Sequence, residues 1–201
     1  MQDTTDDIAA TVVAVKRTLI HPKSIDTYIM PQALQNNVAL VELSTKLNFS
    51  SFIRPVCLPS PSADPDEHSG QLVTIAWWGA PDNQADNFGV RMESTLLEIY
   101  SNAACNKIYT SDEEDEAFLS SEMMCAGLHR PHNGPCNGDS GSPLVKWAPD
   151  LANSAAHYFL YGILVGGIGG CDNAQFPSVF TRISEQGILR FIADKTVGYY
   201  N

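Results

Sequence analysis

Short runs of β-branched and aromatic residues recur along this 201-residue chain, each closed by proline, glycine or polar turn residues. That pattern leaves little room for anything but an all-β fold. Residues 72–78, 90–100, 142–147, 158–165 and 177–183 are such runs. Residues 12–20 and 38–43 form an earlier pair, separated by a loop holding Pro22 and Pro31. Between the two groups, residues 55–65 carry four prolines and no periodicity, which predicts a crossing segment. Two helices are predicted. Ser101-Asn102-Ala103-Ala104-Cys105-Asn106-Lys107-Ile108-Tyr109 has a cap-like start, and residues 184–196 set Ile188, Leu189, Phe191 and Ile192 at helical spacing. No internal repeat is present.

Charge and cysteine usage narrow the setting. A hydrophobic share of 44% suffices for a core in one or two small domains. The formal net charge of −11 repels phosphate backbones and anionic lipid, so neither nucleic acid nor a membrane surface is an expected partner. No apolar run reaches the roughly 20 residues of a spanning helix. The start, Met1-Gln2-Asp3-Thr4-Thr5-Asp6-Asp7, is acidic and unlike a secretory signal; the chain is either intracellular as written or lacks its true beginning. Cys57, Cys105, Cys125, Cys136 and Cys171 include no C-x-x-C pair, which argues against structural zinc and for disulfides in an oxidising compartment. The odd count leaves one thiol unpaired. Asn48-Phe49-Ser50 is a glycosylation sequon that fits this setting. Asp112-Glu113-Glu114-Asp115-Glu116 reads as a solvated loop ahead of a calcium or basic-partner site, because consecutive carboxylates do not converge on one point.

The stretch that carries chemistry is Pro135-Cys136-Asn137-Gly138-Asp139-Ser140-Gly141-Ser142-Pro143-Leu144-Val145. Glycines on both sides of a serine allow a tight turn that presents the hydroxyl and neighbouring N–H groups outward. Acyl transfer needs such a nucleophile beside oxyanion donors. Gly, Asp and Ser are also ordinary turn residues, so the motif alone leaves both readings open. Its neighbours decide between them. Asn36-Asn37-Val38-Ala39-Leu40-Val41-Glu42-Leu43, Ile53-Arg54-Pro55-Val56-Cys57-Leu58-Pro59, Ala76-Trp77-Trp78-Gly79, Met124-Cys125-Ala126-Gly127 and Pro177-Ser178-Val179-Phe180-Thr181-Arg182 follow in order. Together they resemble the chymotrypsin/trypsin (S1) family of serine proteases, and its insect-type protease homologues, over nearly the whole chain.

The resemblance implies a trypsin-like double β-barrel: a first-barrel remnant with the crossing over residues 1–60, and a complete second barrel with a C-terminal helix over 61–201. It places the nucleophile at Ser140 and the oxyanion donors at the N–H groups of Gly138 and Ser140. Asp139 becomes the aspartate that pairs with a newly cleaved amine. Cys105–Cys125 and Cys136–Cys171 become disulfides, and Cys57 the leftover thiol that relatives bond to a pro-segment or regulatory chain. Gly134 falls at the floor of the specificity pocket and Gly167 and Ser178 on its walls; with no acidic floor residue, a neutral side chain is the expected guest. The family is secreted, acts on peptides or proteins, and implies no cofactor and no metal.

The departures matter as much. The A-A-H-C-like segment with the general base and the activation sequence are not found, so the chain is expected to begin late in the first barrel. His21, His68, His129, His132 and His157 all read as surface or packing residues. Asn37 stands at the aspartate position, where an amide favours the wrong imidazole tautomer at a cost of about 10⁴ in turnover. Val165 replaces a serine that would support that aspartate, as its neighbour in the fold, and Gly166 replaces a tryptophan that walls the cleft. Three readings follow: a homologue or truncated product with little activity that acts by binding, if at all; a fragment of an active secreted endopeptidase whose N-terminal third is missing; or a subunit completed by another chain.

Overall fold

A computed structural model describes residues 11–25, 27, 32–79, 92–110, 118–128, 134–136, 138–150, 155–167 and 176–197. Strands β1 (Val15–Ile20) and β2 (Ala39–Leu43) pair antiparallel in a sheet of their own. The rest is a closed six-stranded barrel. Its strands are β3 (Leu72–Trp77), β4 (Glu93–Tyr100), β5 (Met123–Leu128), β6 (Pro143–Asp150), β7 (Ala155–Gly166) and β8 (Ser178–Arg182). They close in the order β3-β4-β5-β8-β7-β6. Helix α1 (Asn102–Tyr109) follows β4, and helix α2 (Gln186–Thr196) ends the described chain. The expected fold class is the one observed: mostly β, with one closed barrel, a partial second sheet and a C-terminal helix.

Alternation explains the barrel. Successive strand side chains point to opposite faces, so β3 turns Val73, Ile75 and Trp77 inward while Leu72 stays exposed. β4 adds Leu97 and Ile99, β6 adds Leu144 and β8 adds Phe180, which completes one contiguous core. Each such side chain contributes roughly 1.5–3 kcal/mol on burial. Closure comes where β3 meets β6, Thr74 opposite Val145 and Ile75 opposite Leu144.

β5 is the strand that patterning does not predict. Its run Met-Met-Cys-Ala-Gly-Leu has no β-branched residue and no alternation. The reason is burial on both faces. Met124 and Ala126 pack in the barrel core, while Met123 and Cys125 pack outside it with Leu34, Cys105 and Val179. A disulfide between Cys105 and Cys125 ties α1 to this strand.

The helices are set by their caps. The Ser101 hydroxyl accepts from the Ala104 N–H at 3.1 Å, as its cap-like position predicts. α2 begins two residues later than predicted. Ser184 is drawn off to the Arg182 guanidinium (3.1 Å), and the Glu185 carboxylate caps instead, accepting from the Ile188 N–H at 2.8 Å. α2 lays Ile188 and Phe191 against Val38 and Ile183, with Leu19 and Leu40 of the small sheet packed alongside. The prolyl crossing lies on the barrel: Cys57 exchanges backbone hydrogen bonds with β7, its N–H donating to Tyr158 and its carbonyl accepting from Leu160. Buried Arg182 secures it further, donating to the carbonyls of Ser62 (3.1 Å) and Asp64 (3.2 Å).

Candidate active site

The turn before β6 holds Ser140. Gly138 (φ 91°) and Gly141 (φ 92°) flank it in the left-handed region that glycine enters without strain. Backbone bonds brace the turn: the Asp139 N–H donates to Cys136, Ser142 to Asp139, and Gly141 to Leu164 of β7 at 2.7 Å. Ser140 is consequently exposed at the surface of the barrel. Its hydroxyl donates to the Val165 carbonyl at 3.2 Å. The backbone N–H groups of Gly138 and Ser140 make no hydrogen bond among the described residues.

Asp139 sits beneath this turn, only 2% exposed. One carboxylate oxygen accepts from the Gly79 N–H and the other from the Cys136 N–H, each at 2.6 Å. Burial raises its pKa above the ordinary carboxylate range, and these two donors pull it part of the way back. Gly79 is specifically required, because a Cβ built there would collide with the carboxylate. The clamp joins the end of β3 to the Ser140 turn. The position of Gly79 directly after Trp77-Trp78 was the available signal, but its N–H role is invisible without coordinates.

No hydrogen bond links Asn37 to Ser140 among the described residues. Asn37 is exposed; its side-chain amide donates to the Ala33 carbonyl at 3.2 Å, and its own carbonyl accepts from the Thr181 hydroxyl at 2.7 Å. Val165 presents its side chain to the apolar cluster around Leu34 and Cys105.

Among the positions expected to bound the pocket, Gly134 is buried, and a Cβ there would meet the Leu128 side chain first, at 3.4 Å. At Gly167 a Cβ would approach the Ser178 Cα at 3.4 Å, whereas Gly166 opens onto free space. Tyr109 of α1 is an addition that sequence reasoning missed. It stacks on Phe118, ring centroids 4.6 Å apart, and its hydroxyl donates to the Pro177 carbonyl just before β8.

None of the described histidines is hydrogen-bonded to Ser140. Buried His21 packs edge-on against Phe191 and accepts from the Lys23 N–H; desolvation, then the Lys23 charge, lowers its pKa. His68 stacks on Tyr161 at 4.2 Å, with burial again lowering its pKa. His157 lies within β7. His129, His132, the acidic run at 112–116 and Cys171 lie outside the described residues. Cys136 is disulfide-bonded, the Cys57 thiol is free and half-buried, and Asn48 is exposed. Among the described residues no group of three His, Cys, Asp or Glu side chains has the arrangement of a metal site, and no helix is long and apolar enough to cross a membrane.

Comparison with known proteins agrees with this architecture. The chain is similar to Serine protease filzig of Drosophila melanogaster, 31% identical over 172 residues, which is 84% of this chain and 9% of that protein. It is 31% identical over 159 residues to human Transmembrane protease serine 11B, covering 79% of this chain and 35% of that protein. With rat Transmembrane protease serine 9 it shares 29% over 151 residues, 75% of this chain and 13% of that one. The chain thus spans about a third or less of the curated relatives it matches. Among solved structures, neuropsin, a serine protease of mouse brain, superposes with a TM-score of 0.70 at 24% identity, covering 92% of this chain and 71% of its own, a likeness of fold. The family model described as Trypsin matches residues 3–189. With the match running over nearly its full length, this chain belongs to the trypsin family of S1 serine protease domains.

Proposed function

We propose that this 201-residue chain is an S1-type peptidase domain whose Ser140 site does not turn over peptide bonds, and that it acts by binding peptide or protein segments. Members of the family act on peptides and proteins, and the chain keeps the family's nucleophile turn. The observation that carries the reading is the hydrogen bond from the Ser140 hydroxyl to the Val165 carbonyl. A peptide carbonyl accepts a hydrogen bond but is far too weak a base to take the proton. The hydroxyl therefore stays protonated near neutral pH and attacks poorly. Asn37 adds to this: its amide cannot support an imidazolium as a carboxylate does, even if an imidazole reached the site.

The remaining assignments follow the same logic. The N–H groups of Gly138 and Ser140 are the oxyanion donors, since neither has a partner among the described residues. Gly134, Gly166, Gly167, Val165 and Ser178 bound a pocket whose neutral floor suits an uncharged side chain. Residues 1–60 form the first-barrel part with the crossing, and 61–201 the second barrel. Cys136 pairs with Cys171, and Cys57 is the attachment point for a regulatory segment or chain. The Cys105–Cys125 bridge supports an extracellular location.

Incubation with a proteome-derived peptide mixture tests the proposal, with new termini counted by mass spectrometry. The chain should generate no more of them than its Ser140→Ala variant. Cleavages that the variant does not make would overturn it.

A further inference from the structure

The turn that leads from the prolyl crossing into β3 is tied down on three sides. The Gly70 N–H donates to the Ile99 carbonyl of β4 at 2.7 Å, and the Ile99 N–H donates back to the Gln71 carbonyl at 3.0 Å. The Asp66 carboxylate accepts from the Asn102 N–H at 2.6 Å, so the same turn satisfies a first-turn amide of α1. On the third side the His68 ring stacks on Tyr161 of β7, centroids 4.2 Å apart and planes 12° from parallel. All these partners belong to the closed barrel or to the helix that follows β4.

Of the three ties, the His68 stack is the one that depends on protonation near neutral pH. Its Nε2 is buried and makes no hydrogen bond among the described residues. A Glu67 carboxylate oxygen lies 3.8 Å away, beyond hydrogen-bond reach, and at 48% exposure that carboxylate is screened by water. From the barrel the ring faces two cations: Lys146 of β6, which donates to the Gln71 side chain at 2.6 Å, and buried Arg182 of β8. Tyr161 is a phenol whose pKa is raised by burial and then by Glu67, so it stays neutral. A neutral imidazole leaves one ring nitrogen unmet in this stack. An imidazolium adds a charge and a second N–H where no acceptor stands within bonding reach, whereas water outside would solvate both. Burial lowers the His68 pKa; Glu67 opposes the shift, and Lys146 and Arg182 add to it.

We infer that His68 is an acid-released latch: on protonation its ring leaves Tyr161, and the turn over residues 64–71 detaches from β4 and from the start of α1. The sign follows from the folded state holding this proton less tightly than the unfolded one. The latch's contribution is full above the unfolded pKa and is lost as pH falls through the folded value. It therefore holds at neutral pH and lets go in mild acid, as a local opening of one turn with the barrel left intact. The device is independent of whether Ser140 turns over peptide bonds.

Hydrogen–deuterium exchange of the full chain, read by mass spectrometry with labelling times corrected for intrinsic pH dependence, tests the latch. Between about pH 7.5 and about pH 5, uptake over residues 64–71 and at the start of α1 should rise several-fold while uptake in β8 stays level. His68→Phe keeps a ring against Tyr161 but cannot gain a charge, so its uptake should not change across the range. Glu67→Gln removes the carboxylate that favours the charged ring, so the rise should move to lower pH. Exchange at the His68 ring carbon between its two nitrogens, followed in the same samples, should titrate below a histidine in an unstructured peptide. Level uptake in the wild type, an equal rise in His68→Phe, or a His68 midpoint at or above that of the peptide would overturn the inference. Should His68→Phe fail to fold, the exposed Glu67→Gln change decides alone: a rise that stays at the same pH or moves up refutes the latch.

Discussion

Replacing Asp139 by alanine removes the acceptor from two backbone donors, and the size of the effect follows from where those donors sit. A buried polar group left without a partner costs about 1–3 kcal/mol. Gly79 is buried and takes the upper part of that range; half-buried Cys136, which water reaches more easily, takes the lower. Relief from desolvating the carboxylate offsets about 1 kcal/mol, leaving a net loss of about 2–3 kcal/mol at neutral pH. In a chain of this length that lowers Tm by about 5–10 °C. The pH dependence has a definite sign. Burial raises the Asp139 pKa in the folded state, so the folded protein holds this proton more tightly than the unfolded one. Its contribution is then full below the unfolded pKa and is lost as pH rises through the folded value. The gap between wild type and variant should be wider in mild acid than at neutral pH. Guanidinium unfolding followed by tryptophan fluorescence, repeated across that range, measures both. A loss under about 1 kcal/mol, or a gap that widens as pH rises, would refute the clamp.

Other perturbations probe the scaffold. Phe180 is fully buried in the barrel core, so Phe180→Ala should cost about 3–5 kcal/mol in the same unfolding assay. The small sheet leaves Val15, Ile20, Val41 and Leu43 exposed, so the isolated full chain should self-associate in light scattering. A soluble, monomeric full chain would count against this.

What could be read from the residues alone followed physical lines. Strands half-buried in the barrel, such as β3, announce themselves by alternation, and α1 by a serine at its cap. β5 does not, because a strand covered on both faces has no alternation to display. The start of α2 shifted because Arg182, remote from helix propensity, claimed Ser184. At the site, the turn around Ser140 is written in its glycines. The bonds that define its state are not: Val165 acts through its carbonyl and Gly79 through its N–H, groups every residue carries. Backbone partners of this kind have no residue-type signature.

Covalent labelling of Ser140 bears most directly on the silent site. The 201-residue chain, treated with an organophosphonate probe and weighed by intact-protein mass spectrometry, should gain no adduct beyond that of its Ser140→Ala variant. Stoichiometric modification mapped to Ser140 would show that a base reaches the hydroxyl, and would contradict the account.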